Sequence, residues 1–188
     1  NRGLAYAFRA GLEECLRLGA DLIVNTDGDN QYKGSDIPRL VEPIVQGHAD
    51  CVIGVRDVDA IRHFSAPKKA LQKIGSWTVR KLSGTAIRDA TSGFRAFSRE
   101  AAVSLDLVTD YTYTLESLIA LGKERAVFAQ VPIVTNHQVR ESRLIRSIRK
   151  YVTQCGADII RIYIRYEAFK TFALLGVFTL AAGLGCGL

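Results

Sequence analysis

An apolar run ending in two carboxylates one residue apart, Leu22-Ile-Val-Asn-Thr-Asp27-Gly-Asp29-Asn30-Gln31, constrains this chain more than any other stretch. Apolar strands of this kind belong to parallel sheets covered on both faces. In open α/β sheets, ligands gather outside the carboxyl ends of the strands, so Asp27 and Asp29 are expected on a functional rim. Two carboxylates this close repel unless a cation lies between them or one keeps its proton. Mg²⁺ takes one or two carboxylates and fills its shell with water and phosphate oxygens. The pair therefore points to a divalent cation that presents a diphosphate. Other readings compete. An Asp-Gly turn joining two strands uses the same dipeptide. An EF-hand loop fails, because its sixth-position glycine would be Tyr32 and its closing glutamate Pro38. A phosphatase with an aspartate nucleophile at a strand end stays open, weakened because Asn30-Gln31 follows where a Gly-Thr turn is expected.

The flanking segments alternate helix and strand, the signature of an α/β domain. Leu4, Ala7, Phe8, Leu12, Cys15 and Leu16 have helical spacing, with Gly19 as the stop. Ser35 is expected to cap a helix opened by Pro38 and running to about Gln46, with Gly47 as its stop. Asp50–Val55 reads as a strand, with Arg56 just past its end and on the rim of Asp27 and Asp29 if the two strands run the same way. After a polar loop, Pro67 starts a basic helix with Lys68, Lys69, Lys73, Arg80 and Lys81, closed near Gly84. In Asp89-Ala-Thr-Ser-Gly93, small residues can turn backbone N–H groups toward an anion. A short strand with Phe94 and Phe97 follows, then helices over Arg99–Leu105 and Tyr113–Leu121, and a strand over Ala126–Thr135. Glu116, on the second of these helices, reads as a helix residue near the site rather than a ligand.

The net charge of +6 points to an anionic partner, and its distribution decides which. Over Arg143–Tyr166 an apolar stripe runs beside Arg143, Arg146, Lys150, Arg161 and Arg165. Basic residues aligned with an apolar stripe, rather than with exposed aromatics, argue against nucleic acid and for membrane lipids. That helix leads into Phe169–Leu188, 20 residues with Lys170 as the one charge, about the length that crosses a bilayer. The four cysteines show no C-x-x-C spacing and read as reduced, cytosol-facing thiols. With no methionine and a first residue already at a helix start, the chain reads as a fragment of a longer protein.

Taken together, several stretches resemble the family 2 glycosyltransferases that move a sugar from a nucleotide onto a polyprenyl phosphate, the dolichol-phosphate mannose synthase type. They are Asn1-Arg-Gly3 with its helix, Asp27-Gly-Asp29-Asn-Gln31, Val52-Ile-Gly54-Val-Arg56, the Trp77/Arg80/Ser83 run, Asp89-Ala-Thr-Ser-Gly93-Phe-Arg95 and Arg140-Glu-Ser142-Arg143-Leu144. The resemblance implies a GT-A fold, a Rossmann-like and mostly parallel sheet flanked by helices, with N-terminal strands lying before Asn1. It implies a truncated catalytic domain over 1–142, a basic interface helix over 143–167 and the start of a transmembrane segment over 168–188. It further implies a Mg²⁺ or Mn²⁺ cofactor held by Asp29 and Gln31, with Asp27 on the sugar-nucleotide or metal side. Arg56, Arg80, Arg140 and Arg143 would meet donor or acceptor phosphates. Asp89 would lie near the reaction centre as base or orienter, its structural alternative being to hold the Thr91–Gly93 turn.

The expected reaction is inverting transfer from a GDP-mannose or UDP-glucose type donor to a polyprenyl or dolichyl phosphate, at a membrane and facing the cytoplasm. A metal-dependent phosphatase or nucleotidyltransferase, or a non-catalytic membrane-surface module, are the alternatives. The chain departs from the family pattern at His137 and Glu141, which stand where Arg and Gly are common. It departs again at Asn30, which stands where Leu is frequent.

Overall fold

A computed structural model describes residues 3–57, 66–109, 112–136 and 148–186. Four strands form one sheet in the order β1-β3-β2-β4: β1 (Leu22–Asn25), β2 (Cys51–Arg56), β3 (Arg95–Ser98) and β4 (Phe128–Ile133). β1 and β2 each pair antiparallel with β3, so they run in the same direction, and β4 pairs parallel with β2. The sheet is mixed: three strands point one way and the inserted β3 runs back. Its register sets Asn25 opposite Arg95 and Ile53 opposite the same residue. The start of β3 therefore lies on the rim where β1, β2 and β4 end.

Alternation along the strands sorts side chains between two cores. Ile23, Cys51, Ile53 and Phe97 face one core, shared with Phe8 and Leu12 of α1 (Leu4–Arg17), Ala101 and Ala102 of α4 (Arg99–Ser104) and Leu118 and Ile119 of α5 (Tyr113–Lys123). Val52, Phe94 and Ala96 face the other, packed on Leu40 of α2 (Ile37–Val45) and on Tyr32. Helices thus cover both faces of the sheet. The glycines expected to stop helices, Gly19, Gly47 and Gly84, have φ of 80°, 71° and 69°, the left-handed region that glycine enters without steric cost.

Ser35 does not cap α2. It lies inside a short 3-10 turn, Gly34–Asp36, and Asp36 precedes the helix without a side-chain cap bond; its carboxylate instead holds Arg39 at 3.0 Å. The basic helix is α3 (Ala66–Ser83), packed against α5.

At the C-terminus, α6 (Ile148–Tyr166) is docked onto the domain by polar contacts as well as apolar ones. Ile162 is buried in the main core, and the buried Asp158 accepts a hydrogen bond from Thr112 at 3.1 Å. Arg165 meets Asp106 at 2.7 Å, and Ile160, Tyr163 and Ile164 face outward. α7 (Ala168–Cys186) follows, and within it Ala168–Gly185 is long and apolar enough to cross a membrane, with no part buried against the rest of the chain.

Candidate active site

The rim at the ends of β1 and β2 gathers the carboxylates, one arginine and the small-residue turn. Asp27 leaves β1 and lies flat against Gly93: a Cβ built on Gly93 would meet Asp27 Oδ1 at 2.7 Å and Oδ2 at 2.9 Å. The backbone of Gly93 is outside the left-handed region. The position needs glycine for space, not for conformation. Around this contact, the Gly93 N–H donates to the Tyr32 hydroxyl at 3.2 Å, the Asn25 amide donates to the Gly93 carbonyl at 2.5 Å, and the Tyr32 ring stacks on Phe94 with centroids 5.0 Å apart. Burial pushes the Tyr32 phenol up to about 12, and its hydroxyl draws the pKa of the nearby Asp27 carboxyl down.

Burial, and then the neighbouring Asp29 charge, raise the pKa of the Asp27 carboxyl; Arg56, Arg95 and the Tyr32 hydroxyl pull it back only in part. A cation placed at this loop would relieve that excess of negative charge. Asp29 is exposed, and its Oδ1 accepts the Gln31 N–H at 3.0 Å, which closes the loop on itself. Among the described residues no group of three or more His, Cys, Asp and Glu side chains converges. Two carboxylates with an amide oxygen beside them are a hard-oxygen set of the kind that suits Mg²⁺ or Mn²⁺ completed by water and substrate, rather than an all-protein cage.

Asn30 has a reason that only the fold supplies. Its φ is 62°, a left-handed conformation in which asparagine is enriched and leucine is strained. Asn136, just beyond β4, then clamps the loop: its N–H donates to the Gln31 carbonyl at 2.9 Å and its side-chain amide to the Asn30 carbonyl at 3.0 Å.

Arg56 and Asp89 form a buried bidentate pair, with Nε to Oδ2 at 2.7 Å and Nη2 to Oδ1 at 2.9 Å, and Nη2 also donates to Thr91 Oγ1 at 2.8 Å. Burial alone would raise the Asp89 pKa, but the Arg56 hydrogen bonds and charge outweigh it and hold the carboxyl below its ordinary value. Arg95, fully buried, donates to the carbonyls of Ser92 and Ala90 and to Ser117 Oγ, so the turn from Asp89 to Ser92 is fixed from within. Beside the pair opens a cavity of about 350 Å³ lined by Val55, Arg56, Gln72, Lys73, Arg88 and Asp89 among others.

Arg80 does not line that cavity; its Nη1 donates to the Ile87 carbonyl at 3.0 Å and holds the segment leading to Asp89. Glu116 is fully buried and accepts the N–H groups of Val108 and Thr109 and the Thr109 hydroxyl, at 2.8, 2.9 and 2.7 Å, which organises the loop before α5. Arg140 and Arg143 lie outside the described residues. The sequence reading missed Tyr32, Asn25, Lys73 and Arg88. The first two sit next to the carboxylates without a recognisable spacing, and the other two join the site only because α3 and the segment before Asp89 line the same cavity as the end of β2.

The glycosyl transferase family 2 profile matches residues 1–105, more than half of the chain. The chain belongs to glycosyl transferase family 2. Among curated relatives, it is 30% identical over 140 residues to a UDP-N-acetylglucosamine–dolichyl-phosphate N-acetylglucosaminyltransferase of Methanococcus voltae, covering 72% of this chain and 56% of the relative. It is 34% identical over 107 residues to a polyprenol monophosphomannose synthase of Mycolicibacterium smegmatis, covering 56% of this chain and 40% of the relative. This family member thus spans only part of these two relatives, 56% of the first and 40% of the second. The structure resembles glucosyl-3-phosphoglycerate synthase of Mycobacterium tuberculosis with a TM-score of 0.64 at 20% identity, over 88% of this chain and 55% of that one. A crystal structure of that enzyme with Mn²⁺, UDP-glucose and glycerol 3-phosphate matches with a TM-score of 0.60 at 21% identity. The fold is GT-A.

Proposed function

We propose that the chain is the catalytic part of a transferase that moves a sugar, with inversion, from a nucleotide-diphosphate sugar to a polyprenyl or dolichyl phosphate. The observation that carries this reading is the meeting, on one sheet rim, of the Asp27/Asp29 pair with the Arg56–Asp89 pair and its basic cavity. The acceptors and donors in the relatives' names support the substrate class, and the Mn²⁺ in the neighbour's crystals supports a divalent cation. The donor is of the GDP-mannose or UDP-glucose type.

In this reading Asp27, Asp29 and Gln31 hold Mg²⁺ or Mn²⁺. Once bound, the cation would offset the charge that gathers on the leaving diphosphate. An acceptor phosphate oxygen forms the new bond to the anomeric carbon as that carbon's bond to the diphosphate oxygen breaks, and the bonding electron pair leaves with the diphosphate. A phosphate monoester, with its second pKa near about 6, reaches neutral pH mostly as a dianion and needs no strong base. Asp89, committed to Arg56 and held at a lowered pKa, is suited to positioning rather than to accepting a proton. Its role is to fix the Arg56 guanidinium at the cavity wall, where an always-charged fork can meet phosphate. Arg80 would act through the loop it anchors, and Arg140 and Arg143 would complete the phosphate contacts. Residues 1–142 form the catalytic domain, 143–167 the interface helix and 168–188 the start of a span. The protein would sit at a membrane with this domain facing the cytoplasm.

The test supplies membranes carrying the protein with a short polyprenyl phosphate and a panel of radiolabelled GDP- and UDP-sugars, with Mn²⁺ or with EDTA. Metal-dependent label in the lipid phase, lost in Asp29→Asn, is expected. Release of free sugar or phosphate without lipid labelling would overturn the transferase in favour of a hydrolase, and no turnover of any donor would favour a binding module.

A further inference from the structure

Ala70, Lys73, Ile74, Trp77 and Lys81 recur along α3 at steps of three and four, and all five are exposed. The opposite side of the same helix, with Gly75, Ser76, Val79 and Ser83, is buried. Trp77 is 59% exposed and Ile74 56%. A single exposed apolar side chain needs no explanation; a tryptophan and an isoleucine one turn apart with lysines on either side, at a defined place on the molecule, do.

The place is fixed by two contacts. A Cβ on Gly122 would come within 2.5 Å of the Ser83 Cβ, so the C-terminal end of α3 lies directly on the C-terminal end of α5. The next residue, Lys123, forms an ion pair with Glu167, which joins α6 to α7 and also binds Lys170 at 2.8 Å. The end of α3 and the first turn of the apolar helix therefore occupy the same end of the molecule.

We propose that the α3 face formed by Ile74, Trp77 and Lys81 rests on the anionic surface of the bilayer that α7 enters. Trp prefers the headgroup level, where its ring is buried and its N–H stays wet. Lysines extend along the apolar surface to reach acidic headgroups. Lys73 and Ser76 of the same helix line the cavity beside Arg56 and Asp89, so this contact opens the cavity at the lipid surface. The inference rests on the proposed membrane placement of α7, and not on the donor or the reaction.

Trp77 is the single tryptophan of the chain, which makes it a direct reporter. The 188-residue chain is reconstituted in bilayers of phosphatidylcholine and phosphatidylglycerol, with or without lipids brominated high on the acyl chain. Trp77 emission is expected to lie to the blue, to lose intensity with the brominated lipid and to resist acrylamide, and Lys81→Glu is expected to reverse all three in proportion to the anionic lipid present. A parallel Trp77→Phe/Phe172→Trp chain reports on α7. Quenching at 172 without quenching at 77 overturns the proposal and leaves the span in place. Absence of bromolipid quenching at both positions overturns both. Trp77 protected from acrylamide and from bromolipid alike would assign the face to a second copy or a protein partner, and would also overturn the proposal.

Discussion

Replacing Gly93 by alanine isolates the placement of one carboxylate from the stability of the fold. The added methyl would stand 2.7 Å from Asp27 Oδ1, whereas ordinary contact begins at 3.4 Å, so the carboxylate must retreat by about 0.7 Å. The atom that moves is the end of a side chain, and alanine meets no backbone strain at this position. Alanine also restricts the unfolded chain by about 0.4–1 kcal/mol, which offsets part of the crowding. The expected change in unfolding free energy is therefore within about 1 kcal/mol. Binding of Mn²⁺, followed by its EPR signal, should weaken by roughly 10–100-fold, the usual effect of disturbing a residue that orients a ligand. Gly122→Ala is the contrasting control, because its methyl would meet the Ser83 backbone carbonyl at 2.9 Å and its Cβ at 2.5 Å. Overpacking against backbone should cost about 1–3 kcal/mol. A Gly93→Ala chain that binds Mn²⁺ like the wild type would refute the placement of Asp27 in the cation site.

Asp89→Asn should destabilise the chain by about 3–5 kcal/mol in urea unfolding, because it leaves the Arg56 charge buried without its partner. Because the folded-state pKa of Asp89 is lowered, its contribution is present above the unfolded carboxyl pKa and disappears as pH falls through the folded value; the acid limb of stability should accordingly flatten in the variant. Asp27 works with the opposite sign: its raised pKa means that stability in the absence of metal falls as pH rises through the folded value, and Asp27→Asn should remove that decline. Glu116→Gln, which deprives buried N–H and O–H donors of a carboxylate, should cost about 1–3 kcal/mol and speed hydrogen exchange at Val108 and Thr109. Asn30→Leu should cost about 1–2 kcal/mol for its left-handed backbone, while Asn30→Gly should be tolerated; equal melting of the two would show that the loop is not held in that conformation.

Local chemistry made much of this protein legible in one dimension. The strand that ends in Asp27 and Asp29, the glycine stops of the helices, the small-residue turn at Thr91–Gly93 and the apolar C-terminal helix all follow from residues within one turn or one strand of each other. Ser35 marks the limit of that reading, since a capping residue acts only if the helix starts next to it, and here a 3-10 turn intervenes. What the sequence could not contain is the return of β3 between β1 and β2, because strand order depends on contacts between residues 42–76 positions apart in the chain. That one insertion brings Asp89–Gly93 to the rim, seats Asp27 on Gly93, and closes Arg56 onto Asp89. The sequence by itself determined which groups carry charge and which segments are apolar. The tertiary structure alone decided which carboxylate is left beside another carboxylate and which is spent on an arginine, because that depends on which neighbour each one is buried against.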